Sequence, residues 1–269
     1  LALAVVEPHH SGIGGGCFSL LYSAKNDELV ALDARGTAPR RADRDLFIKD
    51  GEVQDEWKDV GGQSVAIPGL YKAVDTFLKK YGTMTLEEVS APAIRYAREG
   101  FGTSFTEALT MEDDSVARKR ALSAEFRRLY VKPDGTFYGF GERTTNPELA
   151  DCIETVARNG VDSFYAGPIA KKMVDAINER GGVFTLDDLA EYKPKFRTAV
   201  HTDYRGYQVA AFGVPSGGCA LIEMLNILEH YDLAEMGHNS AASIHAIAEA
   251  MKLGFADRSV AMGDPDFVQ

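Results

Sequence analysis

Short strand-like runs stand at the two ends of this chain and a long helical stretch separates them, so any sheet it builds must join segments far apart in sequence. Near the N-terminus, Cys17 to Tyr22 and Leu29 to Leu32 are apolar runs joined by Ala24-Lys-Asn-Asp-Glu28, which has the residues of a hairpin turn. Near the other end, Thr198 to Thr202 and Tyr207 to Phe212 read as strands around Tyr204-Arg-Gly206. Pro215-Ser-Gly-Gly218 is then a tight turn into a helix carrying Leu221, Met224, Leu225 and Leu228. Sheet at both ends with helix between predicts an α+β chain whose helical layers pack on a shared sheet.

The middle carries helical periodicity. From Pro68, the apolar residues Leu70, Val74, Phe77, Leu78 and Tyr81 share one helical face, which stops at Gly82. Thr85 followed three residues on by Glu88 predicts a capping box ahead of a helix through Ile94 and Tyr96 that ends near Gly100. A charged helix is expected over Ala108 to Leu129 and a turn at Lys132-Pro-Asp-Gly135. Helices follow over Leu149 to Asn159 and Ile169 to Arg180, and Thr185-Leu-Asp-Asp188 opens a short one. The last helix starts at Ser240 and is expected to bury Ile244, Ile247, Met251 and Phe255. No repeat, low-complexity tract or linker interrupts residues 1–269, which read as a single portion of one domain.

Composition bounds the function. With 40 acidic against 29 basic side chains the net charge is −11, which repels phosphate backbones and anionic lipid heads, so nucleic acid and membrane surfaces are poor partners. The hydrophobic fraction of 45% supports a sizeable core. Cys17, Cys152 and Cys219 are widely spaced, with neither a disulfide framework nor a zinc pattern. Leu1 to Val6 reads as the end of an apolar element begun upstream, which on this reading makes the chain a fragment of a longer polypeptide.

Few residues point to chemistry on their own. Ser11-Gly-Ile-Gly-Gly-Gly16 has the glycines of an anion-cradling loop, but no Gly-Lys-Ser/Thr follows, and a strand rather than a helix comes next, so a structural turn made for close backbone approach is the better reading. His245 and Glu249 lie four apart on a helix without a third ligand, which fits a surface pair better than a metal site. His9 and His10 flank the glycine loop, yet no Gly-x-Ser-x-Gly elbow or catalytic cysteine setting accompanies them. Arg40, Arg41 and Arg44 form a local basic cluster of the kind usually found on a solvated face. Arg35 is the sharper candidate: at the exit of a strand and followed by small residues, its guanidinium has the fork to grip a carboxylate. The alternative is an arginine paired with Asp33 or another nearby acid.

Several motifs in order carry a family resemblance. These are Val6-Glu-Pro-His-His-Ser-Gly-Ile-Gly-Gly-Gly16, Ala31-Leu-Asp-Ala-Arg-Gly-Thr-Ala-Pro39, Ala91-Pro-Ala-Ile-Arg-Tyr-Ala-Arg-Glu-Gly100, Asn146-Pro147, Asp162-Ser-Phe-Tyr-Ala-Gly167, Thr185-Leu-Asp-Asp-Leu189 and Tyr204-Arg-Gly-Tyr207. The most specific close the chain: Gly237-His-Asn-Ser240, Glu249-Ala-Met-Lys-Leu-Gly-Phe-Ala-Asp-Arg258 and Gly263-Asp-Pro-Asp-Phe-Val268. Together they resemble the large subunit of the gamma-glutamyltransferase (gamma-glutamyltranspeptidase, glutathione hydrolase) family.

That resemblance implies an N-terminal-nucleophile hydrolase with an αββα sandwich, made as a precursor that cuts itself in two and is completed by a small subunit. It implies a threonine nucleophile at the start of the small subunit, gamma-glutamyl small molecules as substrates, and neither metal nor organic cofactor. Arg35 matches the family arginine that binds the α-carboxylate of the gamma-glutamyl group, and no residue of this chain is assigned as catalytic. The departures are Gly36 where the family has glutamate, Val214-Pro-Ser-Gly-Gly218 where it has a second serine, and Pro68-Gly-Leu70 where it has threonine. The missing glutamate keeps cephalosporin or glutaryl acylases, poly-gamma-glutamate depolymerases and a non-catalytic paralogue as alternatives.

Overall fold

A computed structural model describes residues 1–8, 10–113 and 123–268. His9 and residues 114–122 of the helix expected over Ala108 to Leu129 lie outside the described residues. In chain order the elements are α1 (Leu3–Val6), β1 (Cys17–Ser23), β2 (Glu28–Ala34), β3 (Ile48–Lys49), β4 (Glu52–Val53), α2 (Leu70–Tyr81) and α3 (Leu86–Glu99). Next come β5 (Phe101–Gly102), α4 (Phe105–Glu112), α5 (Ala124–Tyr130), β6 (Arg143–Thr144), α6 (Pro147–Asn159), α7 (Asp162–Tyr165), α8 (Pro168–Asn178) and α9 (Leu186–Ala190). The last are β7 (Lys195–Arg197), β8 (Ala199–Tyr204), β9 (Tyr207–Phe212), α10 (Gly218–Leu228), α11 (Leu233–Met236) and α12 (Ala241–Ala261).

These form two compact units, one of residues 1–17 and 34–194, the other of residues 18–33 and 195–269. The first is mainly helical. Its larger core joins Tyr71, Val156, Phe164, Tyr165, Phe184 and Leu189, all at most 2% exposed. The expected α2 face of Leu70, Val74, Phe77, Leu78 and Tyr81 is only partly buried, and the buried residues of the helix are Tyr71 and Ala73, outside that face. A second core packs Ala93 and Ala97 of α3 on Ala150 and Ile153 of α6, where small side chains let the two helices approach closely. Arg98 braces that contact from outside, donating to Asp151 at 2.6 Å and Glu154 at 2.9 Å. Both are exposed pairs, so the apolar contact dominates. The predicted capping box is present: the Glu88 N–H donates to Thr85 Oγ1 at 3.2 Å, and the Thr85 N–H donates back to Glu88 Oε2 at 2.7 Å.

In the second unit the two ends of the chain do share a sheet, built from the two expected N-terminal strands and a C-terminal strand that was not expected. β1 pairs with β2, and β2 pairs antiparallel with β7, in the register Ala31↔Arg197, Leu32↔Phe196 and Asp33↔Lys195. β7 is three residues long, too short to show an alternating pattern. The predicted strands of the last third instead pair with each other as the hairpin β8–β9, from Ala199↔Phe212 to Tyr204↔Tyr207. Arg197 donates from Nε and Nη2 to Asp33 Oδ2 at 3.2 and 3.1 Å, and from Nη1 and Nη2 to Asp266 at 2.9 and 2.8 Å.

The expectation that α12 buries Ile244, Ile247, Met251 and Phe255 is wrong for the chain as described. All four are exposed, at 54, 39, 44 and 50%, and Leu253 is 55% exposed. The face turned inward carries Ser243, Ala246, Ala250 and Gly254. It packs on α10 so closely that a Cβ on Gly254 would lie 3.2 Å from the Ala220 carbonyl oxygen. Small residues allow the shorter interhelical distance, which leaves the large apolar side chains on the outside.

Two outcomes are expected. Thr85→Ala removes an N-cap acceptor and costs about 1 kcal/mol, read as a lower urea midpoint of the full protein. Hydrogen bonds from Arg197 and then Lys195 hold the Asp266 carboxyl well below the usual carboxylate range. Its stabilising contribution is therefore complete above the ordinary carboxylate value of about 4 and fades as the pH falls toward the lowered folded value. The gap in urea midpoint between the native protein and Asp266→Asn is expected to be wide at about pH 7 and to narrow at about pH 3; an unchanged gap would show that Asp266 does not titrate this way.

Candidate functional site

β2 ends at Ala34, and Arg35 is the first residue beyond it. Its backbone is gripped from several sides. A Cβ on Gly16 would stand 2.5 Å from the Ala34 carbonyl oxygen, 2.6 Å from the Gly36 nitrogen and 2.8 Å from Arg35 Cα, so only glycine permits this approach. Within the glycine loop Gly16 is thus the packing residue, whereas a Cβ on Gly12 or Gly14 would meet nothing within 4 Å. The Gly15 carbonyl also accepts from the N–H groups of Gly69 and Leu70, at 2.9 and 3.0 Å, tying the loop to the start of α2. Beyond Arg35, the Ile67 N–H donates to the Thr37 carbonyl at 2.8 Å.

A further tether comes from α9 and the residues after it. The Tyr192 hydroxyl donates to the Arg35 carbonyl at 2.9 Å. The Arg40 N–H donates to Asp188 Oδ1 at 3.0 Å, and the Arg40 guanidinium pairs with Glu191. Asp188 also closes the capping box of α9 with Thr185, and hydrogen bonds from the Arg40 N–H and from Thr185 hold its carboxyl below the usual range against the opposing effect of burial. Segment 35–40 is therefore strapped to 188–192 at three points, while the Arg35 residue itself is exposed. Arg40 is exposed, as the solvated-face reading of the sequence had it, and its guanidinium pairs there with Glu191; Arg44, paired with Asp45, is exposed as well. Tyr192 and Asp188 were not singled out from the sequence, because nothing in their local pattern reports a contact with a segment so far away.

The Asp33 carboxylate accepts from Arg197 within the sheet, and Arg197 Nη2 lies 3.1 Å from it. His10 is exposed. His245 and Glu249 are exposed on α12, and Glu249 pairs with Lys252 at 2.8 Å. No group of three or more His, Cys, Asp or Glu residues able to hold a metal occurs among the described residues. The cysteines are free thiols, and burial pushes the Cys152 thiol up, which keeps it protonated and inert. A groove of about 360 Å³ between α3 and α6 is lined by Ile94, Arg95, Arg98, Glu154 and Arg158. Arg98 and Arg158 there are already paired with Glu154, so the groove reads as a braced helix seam.

A family model described as gamma-glutamyltranspeptidase matches residues 1–269. This chain belongs to the gamma-glutamyltranspeptidase family. It is 38% identical over its whole length to the glutathione hydrolase proenzyme of Escherichia coli K12, of which it covers 46%. The crystal structure of Helicobacter pylori gamma-glutamyltranspeptidase superposes with a TM-score of 0.93 at 36% identity, covering all of this chain and 76% of that one. The cephalosporin acylase of Bacillus halodurans gives a TM-score of 0.84 at 30% identity, over 95% of this chain and 47% of that one. The chain thus spans about half the length of the curated proenzyme it matches. The fold is accordingly the α+β fold of the N-terminal-nucleophile hydrolases, as the motifs implied.

Gly16→Ala tests the close approach. The added methyl meets backbone on three sides and is expected to cost about 1–3 kcal/mol, with a lower urea midpoint and faster proteolysis near residues 34–37. An unchanged midpoint would mean that the loop yields without resistance.

Proposed function

We propose that this chain is the large-subunit portion of a self-processing gamma-glutamyl transferase or hydrolase acting on glutathione-like gamma-glutamyl amides. In this reading both units belong to one N-terminal-nucleophile domain that a small subunit completes, and the nucleophile is a threonine at the start of that subunit. The single observation that carries it is the family match along all 269 residues, joined to a span of 46% of a glutathione hydrolase proenzyme.

The chemistry divides between the chains. A terminal threonine supplies a hydroxyl nucleophile and an α-amine with a pKa of about 8 that takes up the hydroxyl proton. Attack on the gamma-glutamyl carbonyl releases the amine of the donor and leaves an acyl-threonine, which water or an acceptor amine then cleaves. This chain contributes the grip: the Arg35 guanidinium binds the α-carboxylate of the gamma-glutamyl group through paired charged hydrogen bonds, which fixes the scissile amide relative to the nucleophile. No cofactor enters the scheme.

Two features support a completing chain. The large apolar side chains Ile244, Ile247, Met251, Leu253 and Phe255 of α12 face outward, and an exposed apolar surface of that kind is normally covered by a partner. Among the described residues the strands stand in one sheet of three and in pairs, fewer than a sandwich needs.

A second reading, a glutaryl or cephalosporin acylase of the same fold, draws on Gly36. A Cβ there would lie 2.8 Å from the Ala66 Cβ, so position 36 itself has little room for the acidic side chain that follows the arginine in the family pattern. The complete processed enzyme separates the two readings. Gamma-glutamyl-p-nitroanilide is expected to be cleaved much faster than glutaryl-p-nitroanilide, and indifference to the α-amino group would favour the acylase. Arg35→Ala is expected to raise KM for gamma-glutamyl donors by roughly 2 kcal/mol, about thirtyfold; an unchanged KM removes Arg35 from the site. Mass spectrometry of the full gene product is expected to find a fragment beginning with threonine, and a precursor that stays intact would identify a non-catalytic paralogue.

A further inference from the structure

We infer that the outward apolar stripe of α12 lies on β-strands that continue the sheet sideways from the β8–β9 pair, and that these strands come from the part of the precursor outside residues 1–269; this rests on the large-subunit reading. The stripe is Ile244, Ile247, Met251 and Phe255, all exposed in this chain. At about 100° per residue the four fall within an arc of about 80°, centred roughly a quarter-turn round the helix from the row Ser243, Ala246, Ala250 and Gly254 that faces α10. A stripe so placed looks out of one side of the helix layer, toward solvent or toward the level of the sheet.

The contacts of α10 decide which side. Its row Ala220, Met224 and Leu228 faces α12: a Cβ on Gly254 would stand 3.2 Å from the Ala220 carbonyl oxygen and 2.8 Å from Met224 Cε, and Leu228 clusters with Ala246 and Ala250. Low numbers on α10 thus meet high numbers on α12, so the two helices run antiparallel. Gly218 marks the sheet side of α10, since a Cβ there would overlap the Phe212 carbonyl of β9. Leu221 falls about midway between the sheet side and the α12 side, roughly 60° from each. Because the helices are antiparallel, the same sense of rotation is reversed between them, which puts Leu221 and the α12 stripe on one side of the seam. That is the side on which β8 and β9 lie.

The stripe therefore faces the level of the sheet, over a place where this chain has no strand. Neighbouring helices stand about 8–10 Å apart and neighbouring strands just under 5 Å, so α12 overhangs the width of about two strands. Two demands meet in that step. Leu221, in the corner between α12 and the sheet, is 47% exposed. β8 and β9 pair only with each other among the described residues, which leaves ladder edges open. Added strands satisfy both, pairing their backbones with an open edge and turning alternate side chains up to Leu221, Ile247 and Met251. A second copy of this chain fits poorly, because a two-fold contact needs a surface that complements itself and a recessed step does not. A proenzyme relative of which this chain spans 46% has ample length to supply the strands.

The test places p-benzoylphenylalanine at Ile247 and at Met251 in turn, in the complete, processed enzyme, and maps the light-induced crosslinks by mass spectrometry. Both positions are expected to join segments outside residues 1–269, and within each segment the joined residues are expected to alternate, as one face of a strand requires. In the same enzyme Met251→Cys is expected to react with a maleimide at least about tenfold more slowly than Lys252→Cys, which lies off the stripe. Crosslinks within residues 1–269, crosslinks to a second copy, joined residues spaced three and four apart as on a helix, or equal labelling of the two cysteines would each overturn the inference. The large-subunit reading fails separately: a precursor that never yields a threonine-started fragment refutes it, and the crosslinks can still be mapped on the intact chain.

Discussion

The antiparallel pairing of β2 with β7 is the constraint on which the second unit depends. It aligns Asp33 with Lys195 and brings together segments whose closing contact, Arg197 on Asp33, spans 164 residues. Closing a loop of that length costs on the order of 4–5 kcal/mol in chain entropy. The ion pair inside the ladder does not supply this, since the desolvation of two largely buried charges roughly cancels their attraction. Apolar burial does more: Leu32 and Ala34 are completely buried. The pair selects register instead, because a slip of one residue would leave Asp33 buried without its partner.

The candidate site lies in the first unit, where the Tyr192 hydroxyl donates to the Arg35 carbonyl at 2.9 Å. The glycine loop and the bridge between Thr37 and Ile67 then close on the same backbone.

The outward apolar face of α12 carries a different lesson. Periodicity placed Ile244, Ile247, Met251 and Phe255 on one stripe, and a stripe of that kind normally faces the core of its own chain. Here Ala246, Ala250 and Gly254 made the closer contact with α10. Hydrophobic pattern says that a surface is to be covered, and it does not say by what. In a chain that spans about half of its proenzyme relatives, burial inside the chain is the wrong test of which face is the core.

Local patterns were legible because their causes are local. The Thr85 capping box, the α2 stop at Gly82, the β8–β9 hairpin and the turn character of the glycine loop each depend on a few neighbouring residues, and the sequence alone determined them. Arg35 could be singled out from its place at a strand exit, and the family from the order of the motifs. The three-residue strand β7, the strap from Asp188 to Tyr192 and the inversion of α12 were decided only in three dimensions. Each depends on which distant segment arrives first at a given surface, and that competition among non-local contacts leaves no periodic trace in the chain itself.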